Sequence, residues 1–450
     1  MKILLSLLGS SLFPSASICN VLVQEQVVIN NQTYRWTEKA ASTVKFDQSR
    51  LIPNIDYSNK TAFIDNYDIW DSWALLDNNG QVATINGYQI WFALSKPSDG
   101  TGHTKIMYFY SKTGSDWIPG GYALSQNLIE GTEEWSGSAL FDEKTKQVNL
   151  FYTVSNHTYG KNWNQRIALA KMDLNFDQDI PKFNTPVFHK IIAQPDGDLY
   201  QTHQAAEAQG YAKQKWAFRD PFYFRDPKTN QEYMLFEGNT GLLTGKEGER
   251  LPEYTGGFED YPENYDFERS NMANSAIGIA KLNLQEGKVE FLNPLWASNL
   301  VSDETERPSL IYNAKYDRYY MFTTTHGYYN MNLAPGLDKN DSLHGFTAKE
   351  SIFGEMKPIN DDGLILYSHP ENETINGEVV WNKNYAYAWG VMYDNLDSDY
   401  LLTLAFSNFS SNGENELQRI RGAAPSLLLK IKDDKITIED ELLPAQVMRR

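Results

Sequence analysis

Strand-length runs of aromatic and apolar residues recur along this 450-residue chain, each closed by turn-forming residues. They stand at Gly87–Leu94, Lys105–Tyr110, Val148–Thr153, Gln231–Phe236, Arg318–Thr323 and Tyr400–Phe406. Runs of this length, rich in Tyr, Phe, Trp and β-branched residues, read as strands. Several share one theme, polar residues followed by an aromatic cluster, as if the same strand recurred in successive sheets. Long helical periodicity is almost absent. Asp198 to Lys215, rich in Gln and Ala, can hold a short helix or a loop. Gly241 to Asn271 carries no clear strand and reads as a long surface loop. The pattern predicts an all-β protein of several sheets, either stacked sandwiches or a propeller. No strict repeat period decides between them, and no linker separates two halves.

Charge narrows the function. Forty basic against fifty-eight acidic residues leave a net charge of −18. Non-specific nucleic-acid binding and basic membrane-surface modules both need the opposite sign. The single cysteine, Cys19, excludes an intramolecular disulfide and a cysteine-based zinc site. Residues 1–18 read as a secretory signal peptide. Lys2 precedes an apolar run from Ile3 to Phe13, and small residues follow at Ser15, Ala16 and Ser17. That run is too short to span a bilayer, and no later stretch is apolar enough. A secreted chain with one folded domain from residue 19 to 450 is therefore expected, acting as a monomer without a membrane span.

No metalloprotease, P-loop, nucleophile-elbow or dinucleotide signature occurs, and the seven His do not cluster at metal spacing. Acids beside aromatics or Arg stand out instead, at three separated places. Asp71 lies between Trp70 and Trp73, whose indoles can wall a sugar ring. Asp220 follows Arg219 and precedes Pro221; a neighbouring cation favours its ionised form. A second Arg-Asp-Pro, at Arg225 to Pro227, leads into Lys-Thr-Asn and reads as a solvated hairpin turn. Asp303, Glu304 and Glu306 crowd beside Arg307. In an extended strand Glu304 and Glu306 share a face, and like charges raise one pKa, which suits a general acid. One ionised and one protonated carboxyl are the pair most glycoside chemistry uses.

Five motifs, in order, carry a resemblance: Trp70-Asp-Ser-Trp73, Glu134-Trp-Ser-Gly-Ser-Ala139, Phe218-Arg-Asp-Pro221, Phe236-Glu-Gly-Asn-Thr240 and Asp303-Glu-Thr-Glu-Arg-Pro308. The chain resembles glycoside hydrolase family 68, the levansucrases, inulosucrases and related β-fructofuranosidases, from about Asp65 to Leu429. The resemblance implies a five-bladed β-propeller with an axial pocket, and a secreted, retaining fructosyltransferase acting on sucrose and fructan oligosaccharides. A mainly hydrolytic sucrase is the near alternative, and a non-catalytic sugar-binding propeller, which would lack one of the carboxylates, the distant one. It implies Asp71 as nucleophile, Glu306 as acid/base and Asp220 as transition-state stabiliser. Asp71 and Asp220 are expected charged, and Glu306 protonated. Trp70, Trp135 and Ser136 match residues of the fructosyl site, and Arg219 and Glu304 residues that bond the glucosyl side. Tyr387 matches a tyrosine on the acid/base, Glu237 an acid behind the site, and His326 an acceptor-side position. Ala74 and Ala388 depart from residues common in the family. No cofactor is needed, and no metal is expected, because the ligands of the calcium site found in some members cannot be matched.

Overall fold

The computed structural model describes residues 33–450 apart from 60–63, 125–128, 130, 159–160, 211–214, 246–255, 257–260, 262–264, 332–336 and 414–416. The expected signal peptide and Cys19 lie outside the described residues. Each of the six predicted runs coincides with a strand: Gln89–Pro97, Lys105–Ser111, Gln147–Thr158, Glu232–Asn239, Arg318–Thr325 and Tyr400–Ser407.

The strands form five antiparallel sets in chain order. The first set runs Tyr67–Leu76, Gln89–Pro97, Lys105–Ser111, Ile118–Tyr122. The second runs Glu133–Asp142, Gln147–Thr158, Lys161–Asp177, Phe188–Ala193. The third runs Arg219–Arg225, Glu232–Asn239, Ser275–Asn283, Lys288–Phe291. The fourth runs Glu306–Asn313, Arg318–Thr325, Ser342–Lys349, Leu364–Tyr367. The fifth runs Ala386–Tyr393, Tyr400–Ser407, Pro425–Lys432, Lys435–Pro444. Five of the six runs are the second strands of their sets, and Lys105–Tyr110 is the third strand of the first. These pair on both edges and are covered on both faces, so bulky apolar residues fit almost everywhere along them. Arg318–Thr325, for example, is buried at every position.

Five hydrophobic clusters lie between successive sets. Phe92 and Leu94 pack with Leu150 and Tyr152 between the first and second, and Phe151 and Leu169 with Phe218 and Phe236 between the second and third. Leu235 and Ile279 meet Met321 and Phe346 next. Tyr320 and Phe322 then meet Tyr385 and Trp389. The fifth cluster joins the last set to the first, with Trp91 and Phe109 against Leu402 and Leu428. The order is therefore cyclic. The end of the chain ties the junction: the Trp117 indole donates to the Ala445 carbonyl at 3.0 Å, and the Val447 N–H to the Gly114 carbonyl at 2.9 Å.

The first strands of the five sets touch in the same cycle, and every one is bulged near its start. The register breaks fall between Trp70 and Ser72, Trp135 and Gly137, Arg219 and Phe222, Glu306 and Ser309, and Tyr387 and Gly390. In four of them the bulged residue has positive φ: Asp71 at 28°, Asp220 at 59°, Arg307 at 52° and Ala388 at 62°. A bulge re-aims side chains out of the pleat, and non-glycine residues hold such angles only where their surroundings enforce them.

Two loop readings need correction. The segment 241–271 ends in a helix, Phe267–Met272, capped by the Asp266 side chain. Asp226 sits in a hairpin turn as expected but is buried rather than solvated, because it accepts from Tyr319 Oη at 2.7 Å as well as from Thr229 Oγ1 at 2.7 Å. Asp198 to Lys215 does hold a helix, His203–Gln209, capped by Thr202 and ended by Gly210 in the left-handed region.

Candidate active site

The five bulges bring the predicted site residues together. A cavity of about 380 Å³ is lined by Trp70, Asp71, Trp135, Ser136, Arg219, Asp220 and Glu306, with Arg421 at its side. Each of these residues but Arg421 flanks or occupies a bulge. Three carboxyls from three strands thus face one space.

Asp71 accepts from Ser136 Oγ at 2.5 Å. The Asp220 N–H donates to Thr153 Oγ1 at 2.9 Å, and its carboxylate accepts from the Arg307 N–H at 3.1 Å. The Arg307 guanidinium reaches across the axis to the carbonyls of Ala388 and Ser72, so it ties three first strands together. Glu306 accepts from Arg219 Nη2 at 2.7 Å and from the Tyr387 hydroxyl. Arg219 also donates from Nε to Glu237 at 2.6 Å and from Nη2 to Glu304 at 3.2 Å. Glu237 and Glu304 are fully buried. Glu237 accepts from the Thr305 N–H at 3.0 Å, and Lys215 Nζ stands 3.3 Å from Glu304. The Trp135 indole donates to Glu133 at 2.8 Å, which orients its ring.

His326 lies one layer out, on the side of Glu304 and Tyr387. Its ring stacks on Tyr387 with centroids 4.0 Å apart, Nδ1 donates to Asp341 at 2.8 Å, and Nε2 is 4.0 Å from Glu304 Oε1. All eleven predicted site residues therefore form one connected group. Lys215, Arg307, Asp341 and Arg421 belong to it too and were missed. Arg307 stood inside a quoted motif, next to Glu306. The other three carry no local signal.

The electrostatics differ from the expectation in one respect. Burial, reinforced by the charge of Glu306, pushes the Asp71 carboxyl up against the pull of Arg307 and Ser136. Burial and the charges of Glu306 and Asp71 likewise push Asp220 up to about 7, and burial raises Glu237 to about 8. Burial works on Glu306 in the same direction, but Arg219, His326, Lys215 and the Tyr387 hydrogen bond outweigh it and hold Glu306 below its ordinary value. The surroundings therefore pull Glu306 down and push the two aspartates up, where the sequence pointed to a raised Glu306. The physical reason is that Glu306 is crowded by cations as well as by carboxylates. Burial also lifts Asp303, which faces Arg269 at 3.5 Å, to about 7.

Among the described residues, two groups have ligand atoms mutually within 4.8 Å, close enough for one cation: Glu304, Glu306 and His326, and Asp220, Glu237 and Glu306. Arg219 already bonds Glu237, Glu304 and Glu306, and a metal ion in either group would meet its guanidinium. We assign no metal there.

Against known proteins, the sequence matches the Levansucrase/Invertase family, glycoside hydrolase family 68, over residues 27–442. A levansucrase of Zymomonas mobilis is 32% identical over 385 residues, covering 83% of this chain and 84% of that protein. An extracellular sucrase of the same organism is 31% identical over 351 residues, 75% and 80% of the two chains. The solved inulosucrase of Halalkalicoccus jeotgali bound to kestose superposes with a TM-score of 0.73 at 26% identity, covering 92% of this chain and 97% of its own. The chain belongs to this family of sucrose-cleaving, fructosyl-transferring enzymes. Among the described residues no helix is long and apolar enough to cross a membrane.

Proposed function

We propose that this chain is a secreted, retaining fructosyltransferase, a five-bladed β-propeller from residue 19 to 450 that loses residues 1–18 on export. It cleaves sucrose and passes the fructosyl unit to fructan, sucrose or water. The observation that carries this reading is the meeting of Asp71, Asp220 and Glu306 at one cavity, each delivered by a bulge in a different strand. The five inter-sheet clusters support the blade count. The name of the extracellular relative supports export.

In this mechanism Asp71 attacks C2 of the fructosyl unit. A C2–Oδ bond forms, the C2–O bond to glucose breaks, and Glu306 gives its proton to the departing glucose oxygen. The ionised Glu306 then takes the proton of an acceptor hydroxyl, which attacks C2 and releases Asp71. Asp220 stabilises the oxocarbenium-like transition state through the fructosyl hydroxyls, and Trp70, Trp135 and Ser136 wall the unit. Arg219 and Glu304 bond the glucosyl side, with Glu237 fixing Arg219 from behind. Tyr387 orients Glu306, and His326 faces the acceptor. Glu306 must hold a proton when sucrose is bound, although the cations around it pull its pKa down. Sugar hydroxyls donating to Asp71 and Asp220 stabilise their ionised forms, and those charges favour a proton on Glu306.

A mainly hydrolytic sucrase uses the same groups and is favoured by the name of that same relative. One experiment separates the readings: incubation with sucrose while free glucose and free fructose are followed separately, with Asp71→Ala as control. Glucose in excess of fructose establishes transfer. Equal amounts establish hydrolysis. No glucose from the unmutated chain overturns both.

A further inference from the structure

The acceptor side contains a buried carboxylate with no assigned role. Asp341 stands just before the Ser342–Lys349 strand and is 5% exposed. It collects three donors: His326 Nδ1 at 2.8 Å and the Tyr385 hydroxyl at 2.6 Å, both on Oδ2, and the Gly327 N–H at 3.1 Å on Oδ1. The Gly327 bond holds the turn that carries His326. The His326 ring itself is sandwiched. Tyr387 lies on one side at 4.0 Å and 23°, and Tyr328 stacks at 5.3 Å and 19°. Tyr328 is 52% exposed, so this stack runs from the acid that Tyr387 bonds, Glu306, out to solvent.

We propose that Asp341 is a positioning residue for acceptor transfer: it clamps the Nδ1 edge of His326 so that the ring stays between Tyr387 and Tyr328 with Nε2 turned toward Glu304. This rests on the function proposed above. A ring clamped in that way holds its Nε2–H in one direction, as a donor for an incoming sugar hydroxyl. Two electron-rich faces and a carboxylate also favour the charged ring. Burial opposes the charge, but Asp341, Glu304 and Glu306 outweigh it and bring His326 to about 9. The other groups around it are the hydroxyls of Tyr328, Tyr329, Tyr385 and Tyr387 and the cations Lys215 and Arg219, which sit on the far side of Glu304. None of these supplies a second negative charge at Nδ1, so the clamp is specific to Asp341.

The test uses the full enzyme and two readouts. Ring NMR of histidine-labelled protein, without substrate, follows the His326 titration in the parent, Asp341→Asn and Tyr385→Phe. Loss of the carboxylate moves the titration down by about one pH unit or more. Tyr385→Phe keeps the carboxylate but removes a competing donor from the same oxygen, so it moves the titration up. It also provides a decision if the Asn variant does not fold. With sucrose, the fraction of fructosyl units transferred falls several-fold in Asp341→Asn and becomes pH-dependent between about pH 5 and 8. His326→Ala gives the same fall without that pH dependence, and adding Asp341→Asn to it changes nothing further. An unmoved titration overturns the proposal, and so do independent, additive losses in the double variant. A parent that releases no glucose from sucrose overturns the proposed function instead, and the NMR arm still decides the clamp.

Discussion

Replacing Arg219 by methionine tests whether one guanidinium sets the charge state of the site. Its Nε and Nη2 atoms serve Glu237, Glu304 and Glu306 at 2.6, 3.2 and 2.7 Å. Methionine fills similar space but carries no donor and no charge. Removing one partner of a buried ion pair costs about 3–5 kcal/mol, because the other charge is stranded. Three stranded carboxylates do not triple that cost, since each can take up a proton. The relief is about 1.4 kcal/mol for every pH unit by which its pKa exceeds the solution pH. Glu237 already stands at about 8 with Arg219 in place. Glu306, held below its ordinary value chiefly by Arg219 against its burial, is the group that must change state. The sign follows. In the parent, the Glu306 contribution is present above the unfolded value of about 4.3 and is lost as pH falls through the lower folded value. In the variant the folded value lies above the unfolded one, so the native chain binds the extra proton and stability falls as pH rises past about 4. The deficit relative to the parent is therefore about 3–5 kcal/mol at pH 7 and smaller at pH 5. Urea unfolding followed by tryptophan fluorescence at both pH values measures it. A deficit below about 1 kcal/mol at pH 7, or an equal deficit at both, would refute the reasoning.

Asp71→Asn keeps a residue that tolerates the positive φ of 28° and removes the nucleophile. Glucose release from sucrose should fall by about 10³-fold or more with the thermal midpoint retained, and a rate within about tenfold of the parent contradicts the assignment. Ser136→Ala removes the 2.5 Å donor that lowers the Asp71 pKa. The acidic limb of kcat/KM should move to higher pH by about half a unit or more; a limb that stays in place shows that the hydroxyl does not bear on ionisation. At Gly137 an added Cβ would stand 1.9 Å from the Phe151 carbonyl oxygen, in the neighbouring strand's backbone. Gly137→Ala should cost more than about 3 kcal/mol or yield no soluble protein, and a parental melting curve would show that the ladder can open there.

Much of the frame was legible because it is written in periodic, local signals. The aromatic second strands repeat and are punctuated by turns, so Gln89–Pro97 and Arg318–Thr325 could be read almost to their ends. The count of sets was not legible that way, since the connections vary in length and the sets share no strict period. Nine of the eleven site residues lie in the five motifs, and four of those motifs fall at bulges: Trp-Asp-Ser, Trp-Ser-Gly, Arg-Asp-Pro and Glu-Arg-Pro mark where a strand leaves its register. Lys215 and Asp341 were invisible because their roles depend on contacts across the fold. Lys215 meets Glu304 from beyond the His203–Gln209 helix, and Asp341 meets His326 and Tyr385 from two different sets.

The same distinction explains why the direction of the Glu306 shift was not legible. Reading Glu304 and Glu306 as crowded acids counts only the charges adjacent in sequence. The cations that decide the matter arrive from elsewhere: Arg219 from the third set, Lys215 from the segment before it, and His326 from the turn that follows the Arg318–Thr325 strand. Together with Arg307 they make four positive groups against the carboxyls of Asp71, Asp220, Glu237, Glu304, Glu306 and Asp341. The direction in which a carboxyl shifts follows the cations it meets. Asp71 meets only Arg307 and, more weakly, Arg219, and is raised. Glu306 sits among three cations and a phenol and is lowered.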